Sequence, residues 1–94
     1  MLQYNTMIGR VVYSLAGRDA KKYFIIVSVL NDEYVYVSDG DLRKLENPKK
    51  KKIKHLRFTD IYADEVRELI FSGAKVSNSK INKFLQSEDI NKEV

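Results

Sequence analysis

The residues best suited to bind a charged ligand are basic and lie close together. Between Lys49 and Arg57, seven of nine residues carry or can carry positive charge: Lys49, Lys50, Lys51, Lys52, Lys54, His55 and Arg57. Cations in this number can neutralise several phosphates of a nucleic acid and release the counterions condensed on them. A solvated loop that only aids solubility is the plainer alternative. Adjacent like charges repel one another when no partner is bound, but on these residues alone the two interpretations are evenly weighted, and the segments beside the run decide for phosphate binding.

A second, smaller group of cations lies in a polar loop between two apolar runs. The loop covers residues 16–22, here called the basic loop, and carries Gly17, Arg18, Lys21 and Lys22. Arg18 is the candidate for specificity, because a planar guanidinium can stack on an unpaired base or hold a phosphate through two hydrogen bonds. Arg43 and Lys44 are predicted to extend the same basic surface. The alternative for all of these residues is ordinary surface charge.

Catalytic and metal-binding patterns find little support. The chain has one histidine, His55, and no cysteine, so no nucleophile and base can be paired by type and spacing. Asp39 and Asp41 flank Gly40, which is first of all a turn pattern rather than a pair of metal ligands. The sequence therefore predicts a protein that is not an enzyme and that needs no metal or other cofactor.

Composition and charge indicate a globular chain with two unlike parts. Of the 94 residues, 44% are hydrophobic and 32% charged. Residues 1–59 contain 12 basic and 6 acidic side chains, whereas residues 60–94 contain 5 and 7. A basic part followed by an acidic one predicts different partners for each. The lack of cysteine fits a cytoplasmic location, and since no apolar run approaches the ~20 residues that span a bilayer, we expect no membrane partner.

Several short strands precede a helical segment. Runs rich in Val, Ile, Tyr and Phe predict strands at residues 8–15 and 23–30, and alternation predicts a third at residues 34–37, after a turn at Asn31 and Asp32. Pro48 and the repelling lysines predict a mobile, solvated loop over residues 47–52. A last short strand should include Phe58. These features predict a mainly β fold, a small SH3-like barrel of four to five strands at residues 1–59.

The hydrophobic period changes from 2 to 3.6 near Thr59. This change predicts a first helix with Thr59 or Asp60 as N-cap and a stop at Ser72 and Gly73, and a second helix with Ser77 as N-cap that ends near Gln86. A link of a few residues makes the two helices neighbours. Residues 60–94 are thus predicted to be a helical hairpin, with a frayed tail from residue 87.

The segment I-G-R-V-V-Y-S-L-A-G-R-D-A, with the apolar run that follows it, resembles the KOW motif, a two-strand-and-loop RNA-binding unit. It is most similar to the KOW-containing large-subunit ribosomal proteins of archaea and eukaryotes and their short stand-alone bacterial relatives. The resemblance implies an SH3-like barrel whose strand-linking loops contact RNA, a role that falls on Gly17, Arg18, Lys21 and Lys22. One departure is Lys21, where the family commonly has a second glycine.

Together these observations predict non-enzymatic binding of RNA, namely ribosomal RNA on or near the large ribosomal subunit, by a protein that is monomeric when free. The helical tail is a candidate contact for ribosomal proteins. The alternative is a protein–protein interaction module of the translation or transcription machinery that uses the barrel and the acidic tail. The strand aromatics are predicted to be core first, with Tyr23 or Tyr36 as the candidate base-stacking residue.

Overall fold

The central strand of the molecule is β2, Tyr23–Val29, as its run of apolar residues on both faces predicts. The computed structural model describes residues 4–87. Five strands form one antiparallel sheet in the order β4-β3-β2-β1-β5. The other strands are β1 Arg10–Ser14, β3 Tyr34–Ser38, β4 Lys49–Lys52 and β5 Leu56–Tyr62, and the helices are α1 Tyr4–Met7, α2 Asp64–Ser72 and α3 Asn78–Ser87.

The mainly β fold with two C-terminal helices is confirmed. The sheet is open, with β4 and β5 as its two edges within residues 4–87, so the strand pairing does not close the barrel that the sequence predicts. The tail predicted to fray lies outside the described residues, except for Ser87, which ends α3.

Apolar side chains are buried on both faces of the sheet. On one face Val12 and Phe24, which pair across β1 and β2, form a cluster with residues of β3. On the other face the pair Val11 and Ile25 is covered by Val66 of α2 and Ile81 of α3, among others. Because alternate residues of a strand point to opposite faces, β1, β2 and β5 each contribute to both clusters. Helices α2 and α3 therefore cover one face of the sheet.

The start of α2 differs from the prediction. β5 continues to Tyr62, and α2 begins at Asp64 with Ala63 as its N-cap, so the predicted cap at Thr59 or Asp60 is wrong. Thr59 is buried in the sheet, where its hydroxyl donates to the Val11 carbonyl at 2.7 Å. The same residue type that caps helices is here used within a strand pair.

The predicted helix stop and the second cap are confirmed. Gly73 ends α2 in the left-handed conformation. Ser77 precedes α3, and its hydroxyl accepts a hydrogen bond from the Lys80 amide at 3.1 Å, as an N-cap side chain does.

The start of α3 is fixed against the turn that follows β3. The Leu45 amide donates to the Asn78 Oδ1 at 2.7 Å, and the Asn82 side chain donates to the Asp39 carbonyl at 3.3 Å. Gly40 lies in this turn with φ of +74°, and a Cβ built on it would lie 2.1 Å from the Asn78 carbonyl oxygen. Only a residue without a Cβ permits this approach of turn and helix.

Candidate nucleic-acid interface

The lysine run, Lys49–Lys52, is strand β4, so the prediction of a mobile loop is wrong. It pairs antiparallel with β3, with Val35 opposite Lys51 and Tyr36 opposite Lys50. The alternation of a strand separates the four charges, because Lys49 and Lys51 share the face of the buried valines while Lys50 and Lys52 share the face of the tyrosines. Lysines are also the residues that protect a sheet edge from pairing with another chain.

Lys51 joins β4 to the basic loop. Its side chain is buried, with 7% of the residue exposed, and its ammonium donates to the Ala16 carbonyl at 2.8 Å. Burial lowers the pKa of Lys51 from its usual value, while the carboxylate of Asp19 acts in the opposite direction. The two basic segments found in the sequence are therefore directly connected.

Asp19 provides a second connection. Only 6% of it is exposed, and its Oδ2 lies 3.2 Å from the Arg43 Nη2. This ion pair ties the basic loop to the segment after β3. Sequence reasoning does not select Asp19, although a single acidic residue among the cations of the basic loop is the signal that could have found it.

The backbone of the basic loop contains two residues with positive φ, Gly17 at +85° and Lys21 at +67°. The Lys21 amide donates to the Ser14 carbonyl at 2.8 Å, and the Ser14 amide donates to the Lys22 carbonyl at 2.9 Å, so the loop closes directly on the end of β1. Lys21, unlike Gly17, carries a side chain. The left-handed conformation found there is the one that favours glycine.

The predicted binding residues fall into three groups by exposure. Lys51 is the buried one. The partly exposed ones are Arg43, Lys49, Lys52, His55 and Arg57, and the exposed ones are Gly17, Arg18, Lys21, Lys22, Lys44, Lys50 and Lys54. The exposed group includes cations of both the basic loop and the lysine run.

Arg57 and His55 also have contacts within the protein. The Arg57 guanidinium lies over the Tyr13 ring, 5.3 Å from its centroid, and Tyr13 in turn packs against Tyr23 with ring centroids 4.9 Å apart. The His55 carbonyl accepts the Leu15 amide at 2.8 Å, so its backbone supports the end of β1. Tyr23 thus packs across the strands, as the sequence favours for strand aromatics.

Tyrosines also accompany the lysines of β4. The Lys50 ammonium lies 4.6 Å from the centroid of the Tyr34 ring, and the Lys52 ammonium lies 5.9 Å from it. Both contacts are in the range of cation–π attraction. They place positive charge and an aromatic ring side by side on one face of the sheet edge.

Within the described part of the chain, no group of three or more His, Cys, Asp or Glu residues could hold a metal ion. In the same residues, no helix combines the length and the apolar character needed to cross a bilayer.

No protein-family model matches this chain, and the chain has no significant match among curated proteins.

Proposed function

We propose that this protein binds RNA and catalyses no reaction, and that its target is ribosomal RNA on or near the large ribosomal subunit. The observation that carries the proposal is the hydrogen bond from Lys51 to Ala16, which holds the basic loop and the lysine run together. Around this connection Arg18, Lys22 and Lys50 remain exposed. A supported surface with several exposed cations is suited to the phosphates of a folded RNA.

The proposal divides the basic residues by role. Lys51 and Arg43 support the basic loop, because the Lys51 ammonium donates to the Ala16 carbonyl and the Arg43 guanidinium pairs with the Asp19 carboxylate. Exposed lysines act as point charges that position the phosphate backbone without reading sequence. Arg18 fixes the orientation of the bound RNA, because its guanidinium can bind a phosphate through two hydrogen bonds or stack on a base.

The KOW resemblance supports ribosomal RNA as the class of target. In this proposal the five-stranded sheet is the counterpart of the SH3-like barrel, and the basic loop is the counterpart of its RNA-contacting loop. The positive φ at Lys21 agrees with the glycine that the family commonly has there. A deep, narrow major groove hides the base edges of duplex RNA, so recognition of folded RNA rests on phosphates and shape.

The test compares Arg18→Ala with the double variant Lys50→Ala and Lys52→Ala, by binding titrations on a ribosomal RNA fragment and on a scrambled RNA of equal length. We expect the lysine variant to weaken binding to both RNAs equally. Arg18→Ala should instead reduce the preference for the ribosomal fragment. Loss of preference in the lysine variant alone would reverse the two roles.

A protein–protein interaction module is the second candidate. It is favoured by α2, which exposes Asp64, Glu65 and Glu68, and which has Phe71 54% exposed near its end. An acidic helix with an exposed aromatic ring can dock on a basic protein surface. If the wild-type protein binds neither RNA in these titrations, this candidate becomes the better account.

A further inference from the structure

The outer face of strands β3 and β4 has two parallel rows of side chains. Tyr34 pairs with Lys52 and Tyr36 with Lys50, and paired residues lie on the same face of a sheet. Val35 is fully buried on the opposite face, so the tyrosines and these lysines point outward. All four outward side chains are at least partly exposed. The face therefore presents a row of aromatic rings beside a row of ammonium groups.

The spacing of the two tyrosines selects the kind of ligand. Residues two apart in a strand are separated by roughly 6.6–6.8 Å, because each residue advances the strand by 3.3–3.4 Å. Bases of a duplex follow one another at roughly 3.4 Å and have their faces covered by their neighbours. Successive bases can reach Tyr34 and Tyr36 together only when they are separated from each other. Such bases belong to a single strand.

Two features give an RNA strand access to these rings. Within the described residues β4 pairs with β3 alone, so the face ends at an open edge. Ser28, which lies opposite Tyr36 on β2, is exposed and small, so it leaves space beside that ring.

The lysines already near Tyr34 are compatible with a stacked base. The Lys50 ammonium is 4.6 Å from the ring centroid and sits on a long, flexible stem. An exposed cation–π contact is weaker than the stacking of a base on an aromatic ring, so a base can take the place of the ammonium. The displaced ammonium then remains within reach of the phosphate that follows the base.

Protection of the sheet edge is the simpler reason for lysines in β4. That reason accounts for Lys50 and Lys52 but does not require the two outward tyrosines at matching positions of β3. The alternation of ring and cation is the arrangement that proteins use to bind single-stranded nucleic acid.

We infer that the outer face of β3 and β4 binds an unpaired segment of RNA, with Tyr34 and Tyr36 stacking on successive bases and with Lys50 and Lys52 contacting the phosphates. This inference rests on the proposed function and deepens it, because it assigns a single-stranded segment of the target to a surface separate from the basic loop.

The experiment uses the full chain and two probes, a blunt RNA duplex and an oligouridylate. The oligouridylate has about eight nucleotides, a length within the site sizes common for single-strand binding domains. The test variant is Tyr34→Leu with Tyr36→Leu, which keeps apolar bulk but removes the rings. The control is Tyr34→Phe with Tyr36→Phe. We expect the leucine variant to bind the oligouridylate roughly 5- to 140-fold more weakly for each base that no longer stacks. The duplex affinity and the phenylalanine control should match the wild type.

Equal oligouridylate affinity in the leucine variant and the wild type would overturn the inference, and so would an equal weakening for both probes. The proposed function is judged separately, by whether the wild-type protein binds the ribosomal RNA fragment. Ultraviolet cross-linking of wild-type protein to the oligouridylate, mapped by mass spectrometry, tests the same claim without a variant. Cross-links at Tyr34 or Tyr36 support it, and cross-links confined to other residues contradict it.

Discussion

The ammonium of Lys51 lies 2.8 Å from the carbonyl oxygen of Ala16, although two strands separate β4 from β1 in the sheet. Ala16 lies two residues beyond the end of β1. Since Lys51 points to the same face as the buried Val35, the sheet must curve enough to bring its edge strand across that face to the loop. This curvature places the two basic segments of the sequence beside one another.

The first prediction concerns the hydrogen bond from Lys51 to the Ala16 carbonyl. We expect Lys51→Met to change the free energy of unfolding by less than ~1 kcal/mol, because the loss of a hydrogen bond that contributes ~1.5–3 kcal/mol is offset by removal of the cost of burying an ammonium. Amide exchange at Ala20 and Lys21 should become faster. Lys50→Met, an exposed position of the same strand, is the matched control. Equal exchange rates in the two variants would show that Lys51 does not hold the loop.

The second prediction is a pH dependence. Burial lowers the pKa of Lys51 in the folded protein below its usual value of 10.5. Between these two pKa values the unfolded chain binds more protons than the folded protein, so the contribution of Lys51 to the free energy of unfolding rises with pH in that window. Below the window both states are protonated and the contribution is constant. Urea unfolding across an alkaline series should show this rise for Lys50→Met and a smaller rise for Lys51→Met. Free energies of unfolding that change in parallel with pH in the two variants would contradict this role of Lys51.

The sequence predicts most strands because their patterns are local. The apolar run of β2, the turn at Asn31 and the alternation of β3 each carry their own signal. In the turn, the Asn31 Oδ1 accepts the amides of Glu33 and Tyr34 at 2.8 and 2.9 Å. Local signals of this kind do not depend on the rest of the fold.

The loop prediction for the lysine run is wrong because the partners of these lysines are distant in sequence. Four adjacent like charges predict a solvated loop only if they share one environment. In the fold, Lys51 donates to the Ala16 carbonyl and Lys50 contacts the Tyr34 ring, on opposite faces of the strand. Neither contact is visible from composition. The same limit hides Asp19, whose partner Arg43 lies 24 residues away.

The third prediction uses the backbone of Lys21. Its φ of +67° costs a residue with a side chain ~1–2 kcal/mol, whereas glycine adopts it freely but loses ~0.5–1 kcal/mol through greater freedom in the unfolded chain. We therefore expect Lys21→Gly to raise the free energy of unfolding by ~0.5–1 kcal/mol. Lys21→Ala removes the same charge and should give no such gain. Equal stabilities of the two variants in urea would argue against strain at this position.

The fourth prediction separates backbone strain from the docking of α3. Gly73 and Gly40 have φ of +77° and +74°, but a Cβ on Gly73 has nothing within 4 Å, whereas one on Gly40 meets the Asn78 backbone. Gly73→Ala should cost ~1–2 kcal/mol from strain alone. Gly40→Ala should cost ~1–3 kcal/mol more, as overpacking does. Thermal and urea unfolding measure both. Equal costs would mean that α3 is not held against this turn.

The central claim is that exposed cations of both the basic loop and the lysine run neutralise phosphates of one bound RNA, and the salt dependence of RNA affinity tests it most directly. The variants are Arg18→Ala with Lys22→Ala, Lys50→Ala with Lys52→Ala, and the combination of all four. Wild-type affinity for a ribosomal RNA fragment should fall linearly on a log–log plot against salt. Each double variant should flatten the slope by up to ~1.4–1.8, at ~0.7–0.9 for each phosphate that is no longer neutralised, and the quadruple variant by the sum of both changes. An affinity independent of salt, or a slope that no variant changes, would contradict the claim.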